Sequence, residues 1–240
     1  MNILANAKTK RKIAKVVFVK VKTNLKETGK GKKGTTKNRS SICEDEVLNK
    51  FLKQGYISLE NDEVEFDLTQ LDPKTNKPKY SDFNKNFSFK DTRDPQQTKI
   101  LNKFHNSANQ SLVGFVETEF NKAHPKYANH FKVFFFGDRG GKKNKKTGKI
   151  KGLGGYAKGF KKQSVVAFSS KSEATVTHEL LHAIGLRHTF DGKATYQYKK
   201  GATYNIMDYS HLSKYGRKNR NHIWLWQMKQ LWENKNLKPE

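Results

Sequence analysis

The sequence predicts a domain in which strands and helices share one modest core. Three observations lead there. Two runs of β-branched and aromatic residues read as buried strands, a capped helix with apolar faces follows them, and an aromatic-rich helix closes the chain. At 240 residues the chain suits one domain or two small ones. Apolar residues make up 34% and aromatics 12%, which is enough for a packed core with solvated loops.

Ile13 to Val21 is rich in β-branched side chains, which pack well on a pleated surface, and reads as a strand. Glu44 to Lys53 reads as a short helix that Gly55 ends. Residues 71–96 carry Pro73, Pro78 and Pro95 and read as irregular. Residues 97–123 read as helix, weakened by Ser107, Asn109 and Gly114. His130 to Phe136 reads as a short buried strand stopped by Gly137. Gly152 to Ala157 reads as a glycine-weakened edge strand and Val165 to Phe168 as an inner one. Ser170 and Glu173 have the spacing of a capping box. The helix it opens carries Ala174, Val176, Leu180, Leu181 and Ile184, and Gly185 stands where a left-handed residue ends a helix. His222 to Leu237, with Trp224, Trp226 and Trp232, reads as a C-terminal helix.

Charge narrows the classes further. Lys plus Arg number 48 against 22 Asp plus Glu, a net charge of +26. The excess is local: residues 139–162 hold 10 bases and no acid, and a second Lys/Gly-rich stretch spans 26–39. Such segments bury little apolar surface and read as mobile basic loops. They favour anionic surfaces and acidic substrates by steering. No aromatic interleaves with Lys142 to Lys151, and no helix-turn-helix or finger pattern occurs, so specific nucleic-acid recognition is not expected. No apolar run approaches the roughly 18–20 residues that span a bilayer, so no transmembrane segment is expected. The single Cys43 excludes an internal disulfide framework and a multi-cysteine zinc site. Its acidic neighbours make it read as a helix start rather than an inhibitory thiolate.

The chemistry lies in His178-Glu-Leu-Leu-His182, inside the capped helix. Two histidines four apart stand one above the other on one face, so both imidazoles can reach one metal ion. Gly185 breaks the helix and the chain turns back to present His188. Three histidines with an open fourth position are a catalytic rather than a structural zinc pattern. Glu179 flanks the site as the natural proton acceptor. His105, His124, His130, His211 and His222 have no ligand spacing and read as surface or hydrogen-bonding residues. Phe136-Gly-Asp138 reads as a strand-ending turn.

A second string, Asn205-Ile-Met-Asp-Tyr209, follows His188 at short range. Together the two strings resemble the metzincin clan of zinc peptidases, whose long zinc motif is followed by a methionine turn. His188-Thr-Phe190 and Asn205 to Ser210 resemble its pappalysin and cytophagalysin branch, and the likeness covers about residues 165–210. The resemblance implies an α+β, zincin-like fold: a twisted mixed sheet, with an edge strand over the cleft, packed on the zinc helix, and a small C-terminal subdomain with a helix. It divides the chain into an N-terminal extension, 1–95, and a catalytic region, 96–240, with subdomains meeting near residue 188, or leaves one continuous domain. It implies Zn2+ on His178, His182 and His188, Glu179 as general base and Met207 packed beneath the metal. Tyr209 matches a tyrosine that approaches the metal or the oxyanion, with a packing tyrosine as the alternative. Gly154, Gly155 and Tyr156 fall where a substrate strand would add to the sheet edge. The chain departs from the eukaryotic relatives in having no cysteine between His188 and Met207, and no Asp/Asn cluster resembles a calcium site.

The function so implied is a zinc-dependent endopeptidase acting on protein or peptide. A zinc amidase acting on cell-wall peptide and a non-enzymatic basic polyanion-binding module are the alternatives. Lys15 and Lys20 interrupt the only N-terminal apolar run, which is therefore no signal-peptide core. The expectation is a secreted effector or toxin that leaves without a cleaved signal, with a cytoplasmic enzyme as the alternative.

Overall fold

In the computed structural model, residues 11–25, 44–94, 98–144, 146–209 and 220–240 are described. The fold is α+β, with two mixed sheets and five helices among these residues. The stretch 26–39, Cys43, Ser210 and His211 lie outside the described residues.

Strand β1 (Lys12–Lys22) is the axis of the larger sheet. Val16 and Phe18 point to one core and Val17, Val19 and Val21 to the other, so the run is apolar on both faces, as an inner strand must be. Helix α1 (Glu44–Gln54) leads to β2 (Ile57–Asp67), which pairs in parallel along the whole of β1. The middle of β2, Glu60 to Glu63, is polar and carries no strand pattern of its own. Its acids instead meet the lysines of β1: Lys15 with Glu60 at 3.3 Å, Lys20 with Glu63 at 2.5 Å and Lys22 with Asp67 at 2.9 Å. Opposite charges on neighbouring strands support the pairing and keep this outer strand polar.

Residues 71–96 are not wholly irregular. They include α2 (Phe83–Phe87), whose two phenylalanines are buried, and β3 (Ser88–Lys90). The helix expected over 97–123 is in fact β4 (Lys99–Asn102), a loop, and α3 (Leu112–Ala123). Ser111 starts α3 by accepting the Gly114 N–H at 3.1 Å, while Ile100 and Leu101 are drawn into the smaller sheet. Propensity over the window could not register a tertiary strand partner.

Strand β5 (Phe131–Phe136) is buried throughout and lies parallel between β1 and β9 (Ser164–Ala167). The basic run is not a free loop: β6 (Gly140–Lys143) and β7 (Ile150–Leu153) form an antiparallel hairpin in the smaller sheet, whose order is β3-β4-β6-β7. Asn144 Oδ1 accepts the Lys146 and Thr147 N–H groups and Gly148 takes φ +68°, which is turn chemistry rather than disorder. A Cβ on Gly140 would stand 2.2 Å from the Phe168 ring, so the strand fits there only as glycine.

The expected edge strand 152–157 is split at Gly154. Leu153 ends β7, and β8 (Gly155–Ala157) turns into the larger sheet as its antiparallel edge beside β9. Helix α4 (Glu173–Ile184) packs on β5, β8, β9 and α1. Its N-cap is Ser172 rather than Ser170: the Ser172 N–H donates to Thr175 Oγ1, while Ser170 Oγ donates to the Leu153 carbonyl. Helix α5 (Leu225–Trp232) is shorter than the 222–237 expected, and the chain returns as β10 (Lys238–Pro239) against Lys12 and Ile13.

One core fills the space between α1, α4, α5 and the sheet, with Phe18, Phe135, Leu48, Leu180, Met207 and Leu231. The other lies across the sheet under α3, with Phe120, Phe134 and Phe136. Every side chain named here is almost fully removed from water, worth roughly 1.5–3 kcal/mol each before entropy is counted. The catalytic candidates therefore hang from a helix packed on both sheet and helices.

Candidate metal centre

Helix α4 carries His178, Glu179 and His182; Glu179 and His182 line a cleft beside β8, and His178 is buried. Gly185 ends it at φ +136°, and both the Gly185 and Leu186 N–H groups donate to the Leu181 carbonyl, at 2.9 and 2.8 Å. That turn swings His188 back over the helix. The three Nε2 atoms then stand 3.2, 3.2 and 3.1 Å apart. A triangle of side 3.2 Å has its centre about 1.8 Å from each corner, close to a zinc–imidazole bond of about 2.0–2.1 Å.

Hydrogen bonding aims two of these atoms. His178 Nδ1 donates to the Ile206 carbonyl at 2.8 Å and His182 Nδ1 to the Leu186 carbonyl at 2.6 Å. A carbonyl only accepts, so each Nδ1 carries the proton and each Nε2 lone pair faces inward. The third ring, His188, stacks on Phe190 at 4.8 Å and 11°. Burial pushes the His178 pKa well below its ordinary value, with His182 the next cause. Burial, then His182, takes His188 down to about 4. The Nε2 lone pairs of His178 and His182 therefore face each other at 3.2 Å, a repulsion that a cation between them would relieve. These three residues could hold a metal ion, and among the described residues no other group of three or more His, Cys, Asp or Glu converges in this way.

Glu179 lies half-buried beside the triad. Its Oε2 accepts the Ala157 N–H at 2.8 Å, which ties it to the outward edge of β8. Burial raises its carboxyl above the ordinary value, opposed by His182, that N–H bond and Lys103. Tyr209 packs its ring 4.8 Å from His188 and 5.2 Å from Phe190, under the Lys200 ammonium at 4.9 Å. Burial, then the Glu179 charge, pushes its hydroxyl pKa up, so it stays a proton donor at neutral pH. The cleft has a volume of about 420 Å³, lined among others by Lys103, Tyr156, Glu179, His182, His188 and Tyr209. No protein-family model matches the chain, and comparison with curated proteins finds no match.

Of the other expected site residues, Met207 is fully buried in the core with Leu181 and Ile184. Its N–H donates to Asn205 Oδ1 at 2.9 Å, and Asn205 in turn donates to Gln227 of α5 at 2.7 Å. The turn thereby presents the Ile206 carbonyl to His178. Gly155 lies in β8 and also lines the cleft, where a Cβ would come within 2.7 Å of the Val166 carbonyl oxygen. Gly154 joins β7 to β8, its carbonyl accepting the Phe168 N–H at 2.8 Å. Tyr156 is held by its hydroxyl, which accepts the Val113 N–H at 3.2 Å and donates to the Lys103 carbonyl at 3.3 Å.

Three contributors went unread in the sequence. The Ile206 and Leu186 carbonyls carry no side-chain signature. Asp208 is fully buried and accepts N–H groups from Gly201, Thr203 and Tyr209, at 2.7, 2.9 and 2.7 Å, and the Thr203 hydroxyl at 2.8 Å. It pins the loop that carries the Ile206 carbonyl to His178. Its neighbourhood to Met207 was the only available signal.

Proposed function

We propose that the protein is a zinc-dependent endopeptidase, with His178, His182 and His188 holding the metal and Glu179 acting as general base. The observation that carries this reading is the convergence of three Nε2 atoms within 3.2 Å beside a half-buried carboxylate, under an open sheet edge. The donor set fits zinc: three imidazole nitrogens, two of them fixed in tautomer by carbonyls. A zinc ion held there would supply a Lewis acid and lower the pKa of water.

The chain's own residues do the rest. Glu179 takes a proton from water and returns it to the leaving amine, and a raised carboxyl pKa suits that shuttle. The Tyr209 hydroxyl donates to the oxygen that becomes negative in the transition state. A peptide laid antiparallel along β8 pairs with the outward backbone groups of Gly155 and Ala157. A substrate strand that takes the Ala157 N–H releases Glu179 for its proton.

The test compares wild type, Glu179→Gln and chelator-treated protein on a mixed cell lysate, with new termini identified by mass spectrometry and bound metal by elemental analysis. The expected result is one zinc per chain in wild type and variant, and termini made by wild type alone that chelator abolishes. Equal cleavage by Glu179→Gln would reject the mechanism. Intact zinc with no new termini would reject a peptidase of broad range and turn the same comparison to cell-wall peptide.

A further inference from the structure

Beside the metal cleft lies a second, larger depression of about 770 Å³. Asn102, Phe104, Asn106, Gln110, Lys142 and Lys143 are among its lining residues, and no acid is. One residue joins the two hollows. Lys103 lines the metal cleft, while its chain neighbours Asn102 and Phe104 line the depression.

The Lys103 ammonium stands 4.3 Å from the centre of the Tyr156 ring and 5.6 Å from that of Phe104. From the side of the depression, the Lys142 ammonium comes within 5.4 Å of the same Phe104 ring. A cationic path thus runs over Phe104 from the depression to Glu179. Lys103 is half-buried, and among the described residues no carboxylate pairs with it. Glu179 and Lys142 are the charges it feels, and burial lowers its pKa. The other cation of the cleft, Arg187, is already committed: it reaches Asp191 at 3.5 Å and stacks 4.1 Å from Phe160. Ring faces replace part of the water around Lys103 before anything binds, so an incoming carboxylate meets a cation already partly desolvated.

The floor of the depression is preset as well. Asn102 Nδ2 donates to Asn106 Oδ1 at 3.0 Å, and Asn106 Nδ2 to the Ser88 carbonyl at 2.9 Å.

We propose that this path is a subsite for an acidic segment of the substrate, and that Lys103 receives the carboxylate nearest the bond to be cut. The proposal rests on the peptidase reading above, because the path ends at that cleft and its occupant is then continuous with the cleaved polypeptide. The charge of the lining selects an anionic occupant, and continuity with the cleaved polypeptide makes its anions Asp or Glu carboxylates.

The test uses metal-loaded full-length protein and fluorogenic peptides in matched pairs, Glu against Gln, at each of four positions either side of the cleaved bond. At one position wild type should favour Glu by about ten-fold in kcat/KM, the scale of one charge-assisted hydrogen bond. Lys103→Met should remove that ratio, and Lys103→Glu should shift it towards a Lys-bearing peptide. An unchanged ratio in Lys103→Met overturns the proposal. Binding of the same peptides, dye-labelled, to Glu179→Gln by fluorescence anisotropy separates the two readings. Glu-selective, Lys103-dependent binding without cleavage by wild type would reject the peptidase and keep the acidic subsite. Equal affinity for Glu and Gln peptides, or stronger and Lys103-independent binding of a single-stranded oligonucleotide, would reject the subsite itself.

Discussion

Asp208→Ala should both destabilise the protein and loosen the metal site, although Asp208 is not itself a ligand. Asp208 is fully buried, with Oδ1 accepting the Gly201 and Tyr209 N–H groups and Oδ2 accepting the N–H and hydroxyl of Thr203. A buried hydrogen bond to a charged acceptor contributes roughly 1.5–3 kcal/mol, and losing the acceptor strands its donors. Gly201 is buried, but Thr203 and Tyr209 are half-buried and find water more readily. The hydroxyl of Thr203 can rotate to solvent. The net cost is therefore about 3–5 kcal/mol rather than the full sum. For a chain of 240 residues this lowers the melting midpoint by roughly 6–20 °C. Asp208→Asn keeps one carbonyl oxygen for Gly201 and Tyr209 and should lie between the two. The same loop carries the Ile206 carbonyl behind His178, so the affinity of the triad for a metal ion, probed with zinc, should fall about 10–100-fold, the usual effect of disturbing a ligand's supporting bond. Scanning calorimetry and competitive titration with a zinc dye read both quantities. An Asp208→Ala protein with the wild-type midpoint and affinity would refute the view that this carboxylate holds the metal loop.

Two further outcomes follow from single residues. Gly185→Ala places a Cβ on a residue at φ +136°, which should cost about 1–3 kcal/mol by denaturant titration; since Lys161 can move aside, the penalty is backbone strain, and it should appear also as weaker metal binding through His188. Lys132 is fully buried, donates to the Ala128 and His130 carbonyls at 2.9 Å each, and is lowered from 10.5 to about 8 by burial. Between about 8 and 10.5 the unfolded chain binds the extra proton, so this group makes stability rise with pH across that window by about 3 kcal/mol and contributes no slope below it. Urea titrations of wild type and Lys132→Met from pH 7 to 10.5 should diverge by that amount, and parallel curves would refute it.

The sequence determined the elements whose signal is local. Ile13 to Val21 and His130 to Phe136 are continuous apolar runs because both faces of an inner strand are buried, and each forms the strand expected. The i, i+4 spacing of His178 and His182 and the glycine stop at Gly185 are properties of one helix and its end, so the triad could be named before any tertiary contact was known. Met207 and Tyr209 were legible as a second string, and Tyr209 does stand against the triad.

Tertiary structure decided everything that depends on a distant partner. The polar β2 is a strand because β1 offers lysines to its acids. The window 97–123 divides because Ile100 and Leu101 find neighbours in β3 and β6, which no propensity anticipates. The basic run folds into β6 and β7 because Asn144 and Gly148 turn it and Gly140 fits against Phe168. The same hairpin carries Lys142 to the Phe104 ring whose other ammonium neighbour is Lys103. The backbone carbonyls that aim His178 and His182, and the N–H that holds Glu179, belong to residues with no chemical mark of their own. Side chains state which chemistry a chain can perform, while its orientation is set by backbone groups that only the fold brings into place.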